Sequence, residues 1–562
     1  MPRKLLAVVF LALVLAPAAL ARPSQIMPGV TYDHRVLKGP VQAYVVTAPK
    51  PGGLYSVTPL LSNDTITGRE TVSSMERRVA SQMTMIGVNG DFFNWVGGWP
   101  SGLLMRGGVI EHQPADNRSA LGIDTSGTLH VDRVPFNASW SGFSTIFYPL
   151  SQLNEPPHAN SAALFTPVWG AATPPVNGVA AVLEPFPPAK PFGALTGQVT
   201  AIVSNSSVPI PADGAVIVAR GTAAQALQAD AIVGGQVTVR IGLRKDWTTV
   251  TDAVGGGPAL VRGGKAIRPE NSGESLTDVQ LYGPDPRTAI GQRPDGRIVV
   301  IAADGRRRGW SVGIRNYDLA LMLIHYGCVT GFALDSGGST TIAFDGRVLN
   351  RPSDPAGERP VGEALVVSYT GVYAPAPAPT LSPNGDRYAD REALSYKLVR
   401  PSTVSAKVVA PDGTARELDA GQRAPGTYRL TWDGLNTNGA PAAEGKYHWA
   451  VSATDDLGRA STADRTFAVD DTLGFVRVGR NARTISFRLA RDATVRVAVE
   501  DRFGDILRTV ARGPRPAGTV TVRWNGRDGR RKRVQPGGYV VHVAATSAIG
   551  VSDVRVPVRL RR

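Results

Sequence analysis

An α+β domain followed by two all-β sandwich domains is the architecture that three features of this 562-residue sequence predict. Residues 22–372 hold many short Val/Ile/Leu-rich runs separated by Gly and Pro, with few helical patterns, as expected of strands joined by long connections. Residues 373–380, built on Ala374-Pro-Ala-Pro-Ala-Pro-Thr380, favour extended polyproline geometry and read as an exposed, semi-rigid linker. Beyond the linker the chain repeats itself: Gly426-Thr-Tyr-Arg-Leu-Thr-Trp432-Asp-Gly434 is echoed by Gly518-Thr-Val-Thr-Val-Arg-Trp524-Asn-Gly526. The two tryptophans lie 92 positions apart, which suits one sandwich per copy, 381–470 and 471–562.

Taken in chain order, residues 1–21 have a charged start at Arg3 and Lys4, an apolar run and the small-x-small ending Ala19-Leu-Ala21. This reads as a secretory signal peptide cleaved after Ala21, too short to span a bilayer. No later run is long and apolar enough to cross one, so a secreted, extracellular or envelope-associated protein with no transmembrane span is expected. In the first domain, helices are expected over 73–82, 222–229 and 316–326, the last with Leu319, Leu321, Met322 and Leu323. The Pro-rich stretch 154–192 reads as a loop, either one wall of a cleft or an inert connection. Alternation such as Thr494-Val-Arg-Val-Ala-Val499 marks half-buried antiparallel strands in the second repeat. Asn384, Asp386 and Asp390 are closely spaced oxygen donors, but the terminal bidentate Glu of a calcium loop is missing, so a structural turn is expected there.

Composition narrows the function classes. The single cysteine, Cys328, excludes an internal disulfide framework and sits in an apolar run, where burial makes a thiol inert. The net charge is +15, and residues 471–562 hold 20 Lys and Arg against 7 Asp and Glu, a balance of +13. Such a surface attracts polyanions; an anionic cell-wall polymer is the expected partner, and specific nucleic-acid recognition is not, since no reading motif is present. The seven histidines, His112 among them, show no metal-ligand spacing, and no metal or cofactor is expected. An H-E-x-x-H helix and a complete P-loop are both missing from the sequence.

The informative segments are two polar clusters that directly follow buried-strand patterns: Asn89-Gly-Asp-Phe-Phe93 after 83–88, and Leu334-Asp-Ser-Gly-Gly-Ser-Thr-Thr341 after 329–334. Between and after them come Gly255-Gly-Gly-Pro-Ala-Leu-Val-Arg262, Pro286-Arg-Thr-Ala-Ile-Gly291 and Arg359-Pro-Val361. This ordered set resembles the phosphodiester glycosidase family over roughly 80–370, the family of the enzyme that uncovers N-acetylglucosamine-1-phosphodiesters. The family pattern has Asp-Gly-Gly-Gly-Ser where this chain has Ser336 after Asp335. Both C-terminal copies resemble the Ig-like domain of the flagellar hook-capping type, the second without the opening Ser382-Pro-Asn-Gly-Asp386.

The resemblance implies a secreted hydrolase that cleaves the glycosidic bond of sugar-1-phosphodiesters. Its phosphate leaving group needs little protonation, so the demands are a clamp for phosphate oxygens and a carboxylate at the anomeric carbon. Arginine forks suit the clamp, with Arg118, Arg287 and Arg359 the candidates. Asp335 is the first choice of carboxylate and Asp91 the second. Gly337 and Gly338 amides are expected to cradle an oxyanion, Ser339, Thr340 and Thr288 to donate to phosphate or sugar, and Asn89 to bind sugar or orient a carboxylate. Phe92 and Phe93 read as core. The rival readings are an ordinary glycosidase or phosphodiesterase, and a non-catalytic envelope polysaccharide-binding protein.

Overall fold

The computed structural model describes residues 23–175, 177–501 and 504–561, so the signal-peptide expectation at 1–21 lies outside the described residues. Among the described residues strand accounts for 49% and helix for 9%, so the structure is mostly β: the all-β expectation for the C-terminal domains holds, and in the first region short helices cover a framework of strands. The helices are Val72–Val79, Thr222–Asp230, Asp278–Tyr282 and Asn316–His325. Three match the expected positions; the fourth, Asp278–Tyr282, is too short for a sequence period to show and is marked by the capping box of Thr277 and Gln280.

Four sheets make the first region. One has eight strands with Val41–Ala48, Ile298–Ala303, Arg287–Gln292, Thr330–Ala333 and Ala259–Arg262 side by side. A second, of five strands, centres on Thr84–Asn89 between Ile342–Phe344 and Glu363–Tyr369. A third, also of five strands, contains Val250–Gly255 and Ser119–Asp124. These three face a common core, to which the first gives Tyr44, Ile290 and Phe332, the second Ile86, Val88 and Leu365, and the third Leu121 and Val254. Their central strands, such as Thr84–Asn89 and Arg287–Gln292, are buried along their whole length, which is why they read as continuous apolar runs. Helix Asn316–His325 covers the outer face of the eight-stranded sheet with Leu319 and Leu323, enclosing Cys328, whose thiol burial pushes up to about 12. Helix Val72–Val79, capped by the Thr71 hydroxyl, covers the second sheet with Val72, Met75 and Val79.

The fourth sheet corrects the loop reading of 154–192. Ala162–Phe165 and Val179–Leu183 are buried strands that pair with Ala215–Ala219 inside an eight-stranded sheet. Prolines confined to the connections masked two short apolar strands.

The C-terminal region forms two sandwiches with separate cores, one around Trp432, Trp449 and Phe467, the other around Phe487, Trp524 and Val543. The indole N–H groups of Trp432 and Trp524 donate to Leu435 and Arg527 carbonyls at 2.8 and 2.9 Å, so the repeat places both rings alike. The segment 373–380 is no free linker. Ala374 is buried in the first sandwich core, the Ala378 amide donates to Glu392 at 2.9 Å, and Thr380–Leu381 pairs with Ala468–Val469. Its prolines carry no N–H to satisfy, so a sheet edge accepts it with few donors left over. Buried Arg465 then ties sandwich to first domain, donating to the carbonyls of Ala374, Gln25 and Ile26 at 2.7, 2.9 and 3.3 Å. At the Asn384 turn, Asp386 accepts the Tyr388 and Phe475 amides and Asp390 those of Gly385 and Arg387, so the carboxylates close the turn and brace the second sandwich.

Candidate active site

The two polar clusters meet where the first two sheets abut. Asn89 ends its strand wholly buried, and its carboxamide joins three segments. Nδ2 donates to the Asp335 carbonyl at 2.9 Å, while Oδ1 accepts the Thr288 hydroxyl at 2.7 Å and the Thr341 amide at 3.3 Å. The Asp335 amide donates to the Gly90 carbonyl at 2.9 Å, closing the junction from the other side. Asn89 and Thr288 therefore brace the junction: the carboxamide and the Thr288 hydroxyl proton are engaged within the protein.

What the junction holds is a cluster of three buried acids. Asp335 is 8% exposed, and Asp91 and Glu363 are 1% exposed each. Glu363 opens the strand Glu363–Tyr369 and its Oε1 accepts the Asp91 amide at 2.6 Å. The Gly102 and Gly255 backbones close over Asp91: a Cβ on either would lie 2.8 or 2.2 Å from its Oδ2. Arg118 is the nearest cation, with Nη1 3.6 Å from Asp91 Oδ1, Nη2 on the Ser101 carbonyl at 2.8 Å and its guanidinium over the Phe92 ring. Arg118 faces Asp91 and Arg359 acts on Asp335, but burial of the three acids outweighs both and leaves the charged forms poorly supported. Burial first, then the Asp91 charge, holds Glu363 well above the usual carboxylate range. Burial also raises Asp91 against the pull of Arg118. Asp335 is pushed up to about 7 by burial, with its bonds to Ser339 and to the Ser336 amide acting against the shift.

Asp335 is the acid of the three with an opening to solvent, and the next residues frame it. Ser336 is extended, φ −123°, and only half-buried, so the side chain at this position needs no glycine conformation. Gly337 does, at φ +68°, but its amide donates to the Pro286 carbonyl at 2.9 Å, which removes it from the expected oxyanion cradle. Gly338 lies under the Arg359–Asp354 pair; a Cβ there would sit 1.9 Å from Arg359 Nη2. Arg359 binds Asp354 through two bonds of 2.7 and 2.9 Å and reaches Ser339 Oγ at 3.4 Å. The Thr340 hydroxyl is buried and has no hydrogen-bond partner among the described residues. Arg287 turns away from the expected clamp: its Nη2 donates to the Val279 and Gly283 carbonyls at 3.1 and 2.9 Å, and burial lowers it to about 10.

Two residues of the site escaped sequence reasoning. Glu363 follows Arg359-Pro-Val361 by two positions, and a lone acid opening an otherwise apolar buried strand was the available signal. His112, read as one of the scattered histidines, is 1% exposed. Its Nδ1 faces the Gly102 and Gln113 carbonyls at 2.8 and 3.0 Å and so carries the proton, burial lowers its pKa, and Nε2 lacks a hydrogen-bond partner among the described residues. A cleft of about 740 Å³ lies elsewhere, lined by Arg133, Arg244, Arg262 and Arg268 but by none of the three acids.

Residues 191–368 match the phosphodiester glycosidase family, and residues 389–456 and 476–548 match the FlgD Ig-like domain. The first similarity lies in the strand-built first region and the second in the two sandwiches. The phosphodiester glycosidase match takes in Arg287, Asp335, Arg359 and Glu363 but starts after Asn89, Asp91 and Arg118, so one of the three acids comes from outside it. An 84-residue stretch is 45% identical to the SPbeta prophage-derived uncharacterized protein YomE of Bacillus subtilis, covering 15% of this chain and 13% of that one. A 145-residue stretch is 28% identical to human N-acetylglucosamine-1-phosphodiester alpha-N-acetylglucosaminidase, covering 22% of this chain and 28% of the human protein. The chain thus spans well under a third of either relative. The crystal structure of a hypothetical protein from Synechocystis superposes with a TM-score of 0.51 at 24% identity, over 61% of this chain and 62% of that one, a likeness of fold.

The phosphodiester glycosidase domain should therefore show pH-linked stability. A carboxyl whose folded pKa exceeds its unfolded value contributes stability that is complete below the unfolded pKa and is lost as pH rises through the folded one. Asp91, Asp335 and Glu363 all act in this direction. Thermal unfolding scans should show the protein more stable at pH 5 than at pH 8. Asp335→Asn, neutral throughout, should flatten the difference by about 3 kcal/mol, because Asp335 contributes only between pH 5 and its folded pKa of about 7. An unchanged pH dependence in the variant would place Asp335 in an ordinary solvated environment.

Proposed function

We propose that the phosphodiester glycosidase domain hydrolyses the C1–O bond of sugar-1-phosphodiesters in envelope or extracellular glycopolymers. The observation that carries this reading is Asp335: a carboxyl anchored through its own backbone by Asn89, open on one side, and bordered there by Ser339 and Arg359. A phosphate leaves as a weak base, so no strong general acid is required, and Asp335 works in its ionised form. It either attacks the anomeric carbon or takes a proton from the attacking water. Arg359, pre-oriented by Asp354, offers positive charge to the phosphate oxygens, and the hydroxyls of Ser339 and Thr340 donate beside it. The Asp91 charge raises the proton affinity of Asp335 and so strengthens it as a base, while Arg118 keeps Asp91 in place.

Export to the envelope belongs to this proposal. Among the described residues no helix is long and apolar enough to cross a membrane. The second Ig-like domain, with its +13 balance, would hold anionic envelope polymer through arginines spread over its exposed strands, and Trp524 would serve only the core. Removal of residues 471–562 should leave turnover of small soluble substrates intact and lower retention on cell-wall material at low salt, where screening is weak. Equal retention of both proteins would remove the domain from binding.

Incubation of the mature protein with a panel of sugar-1-phosphodiesters, products identified by mass, tests the activity. Free sugar plus a phosphate monoester is expected, with kcat/KM rising with pH through about 7 as Asp335 ionises. Asp335→Asn should lower kcat by a factor on the order of 10³ or more at retained fold. Normal turnover by the folded variant would transfer the role to another residue, and binding of polymer without any hydrolysis would favour the non-catalytic reading.

A further inference from the structure

Trp95 is 62% exposed and its neighbour Val96 94%, an unusual position for a large indole and one that the hydrolytic machinery does not explain. The loop that carries them is rigid. Asn94 Oδ1 accepts the amides of Val96 and Gly97 at 2.9 and 2.8 Å, and the Gly98 amide donates back to the Asn94 carbonyl at 2.8 Å. The Gly68 amide donates to the Gly97 carbonyl at 2.7 Å, and Gly98, at φ +84°, packs so closely that a Cβ would lie 2.1 Å from the Gly68 carbonyl oxygen. Only glycine permits that contact, and it brings Arg69 against the aromatic pair.

The Arg69 guanidinium stands 5.9 Å from the ring centroids of both Phe93 and Trp95 and makes no ion pair among the described residues. Arg359, which also reaches Ser339 Oγ, stands 5.0 Å from the Trp95 ring centroid. A fixed order results: Asp335, then Ser339 and Arg359, then the exposed Trp95 face, with the uncommitted Arg69 beside it.

We propose that Trp95 and Arg69 form a subsite for the leaving side of the substrate, taking the next sugar ring of a phosphodiester-linked glycan together with the phosphate that follows it. The inference rests on the proposed action of Asp335 at the anomeric carbon with Arg359 at the attached phosphate. Past that phosphate, the next group in the chain meets Trp95. The apolar face of a sugar ring stacks on a rigid, solvent-facing indole at low entropic cost, and an unpaired guanidinium beside it selects a ring that carries an anion. Such a site favours a chain of sugar phosphates over a sugar-1-phosphate capped by a small alcohol.

The test compares a sugar-1-phosphate methyl diester with a three-unit sugar-1-phosphate oligomer of the same sugar, on the full chain. Trp95→Ala should lower kcat/KM for the oligomer by about tenfold, the scale of one good aromatic contact, and leave the methyl diester within about twofold. Arg69→Ala should do the same and also weaken the salt dependence of oligomer binding. Equal losses on both compounds, or no loss on either, would overturn the subsite. Should neither compound be hydrolysed, calorimetric titration of the oligomer separates the two ideas: about tenfold weaker binding to Trp95→Ala keeps the subsite without the reaction, and unchanged binding removes it.

Discussion

The rest of the site depends on one buried carboxamide. Asn89 sits at the end of a fully buried strand and ties it to the Asp335 backbone, the Thr288 hydroxyl and the Thr341 amide. Those partners belong to segments that follow or join different sheets, so the clip fixes the angle at which the sheets abut. Replacing the carboxamide by an apolar side chain would strand several buried polar groups, at about 1–3 kcal/mol each. The constraint is thus steep enough to keep the Asp335 backbone in one position whatever the state of its carboxyl.

Given that fixed position, the chemistry follows from crowding. Three acids share a space in which Arg118 is the nearest cation, and the glycines Gly90, Gly102 and Gly255 let backbone close around them where any side chain would clash. Desolvation outweighs attraction to Arg118, and proton affinities rise. Arg359 is withheld from the deepest acids by Asp354 and is presented to the mouth, where Asp335 opens. Burial thus raises the proton affinity of the acids at the base of the region while Arg359 puts positive charge at its rim, an arrangement suited to an anionic substrate whose reacting bond lies between the two.

Much of this was legible in the sequence, for stated reasons. Polar clusters at the ends of continuous apolar runs located Asn89, Asp91 and Asp335, because a buried central strand can turn polar only where it leaves the sheet. The repeat located both sandwich tryptophans. Roles were less legible than places: whether Asn89 meets a ligand or braces a backbone depends on partners nearly 250 residues away, and whether Arg287 faces the site depends on a short helix with no sequence period. Glu363 and His112 were missed because a lone acid at a strand start and a histidine at a strand end carry no spacing signal. The linker and the 154–192 stretch misled because proline marks breaks in hydrogen bonding, and a segment can lack N–H donors and still be packed.

The central claim is that the junction holds Asp335 as a carboxyl that titrates near neutrality. Carbon-13 NMR of protein labelled at the aspartate carboxyl, followed from pH 3 to pH 9, tests it most directly. One resonance should titrate near pH 7, far above the model-peptide value of about 4, and should be missing from the Asp335→Asn spectrum. A full set of aspartate resonances that titrate below pH 5, with the Asp335 signal among them, would contradict the account.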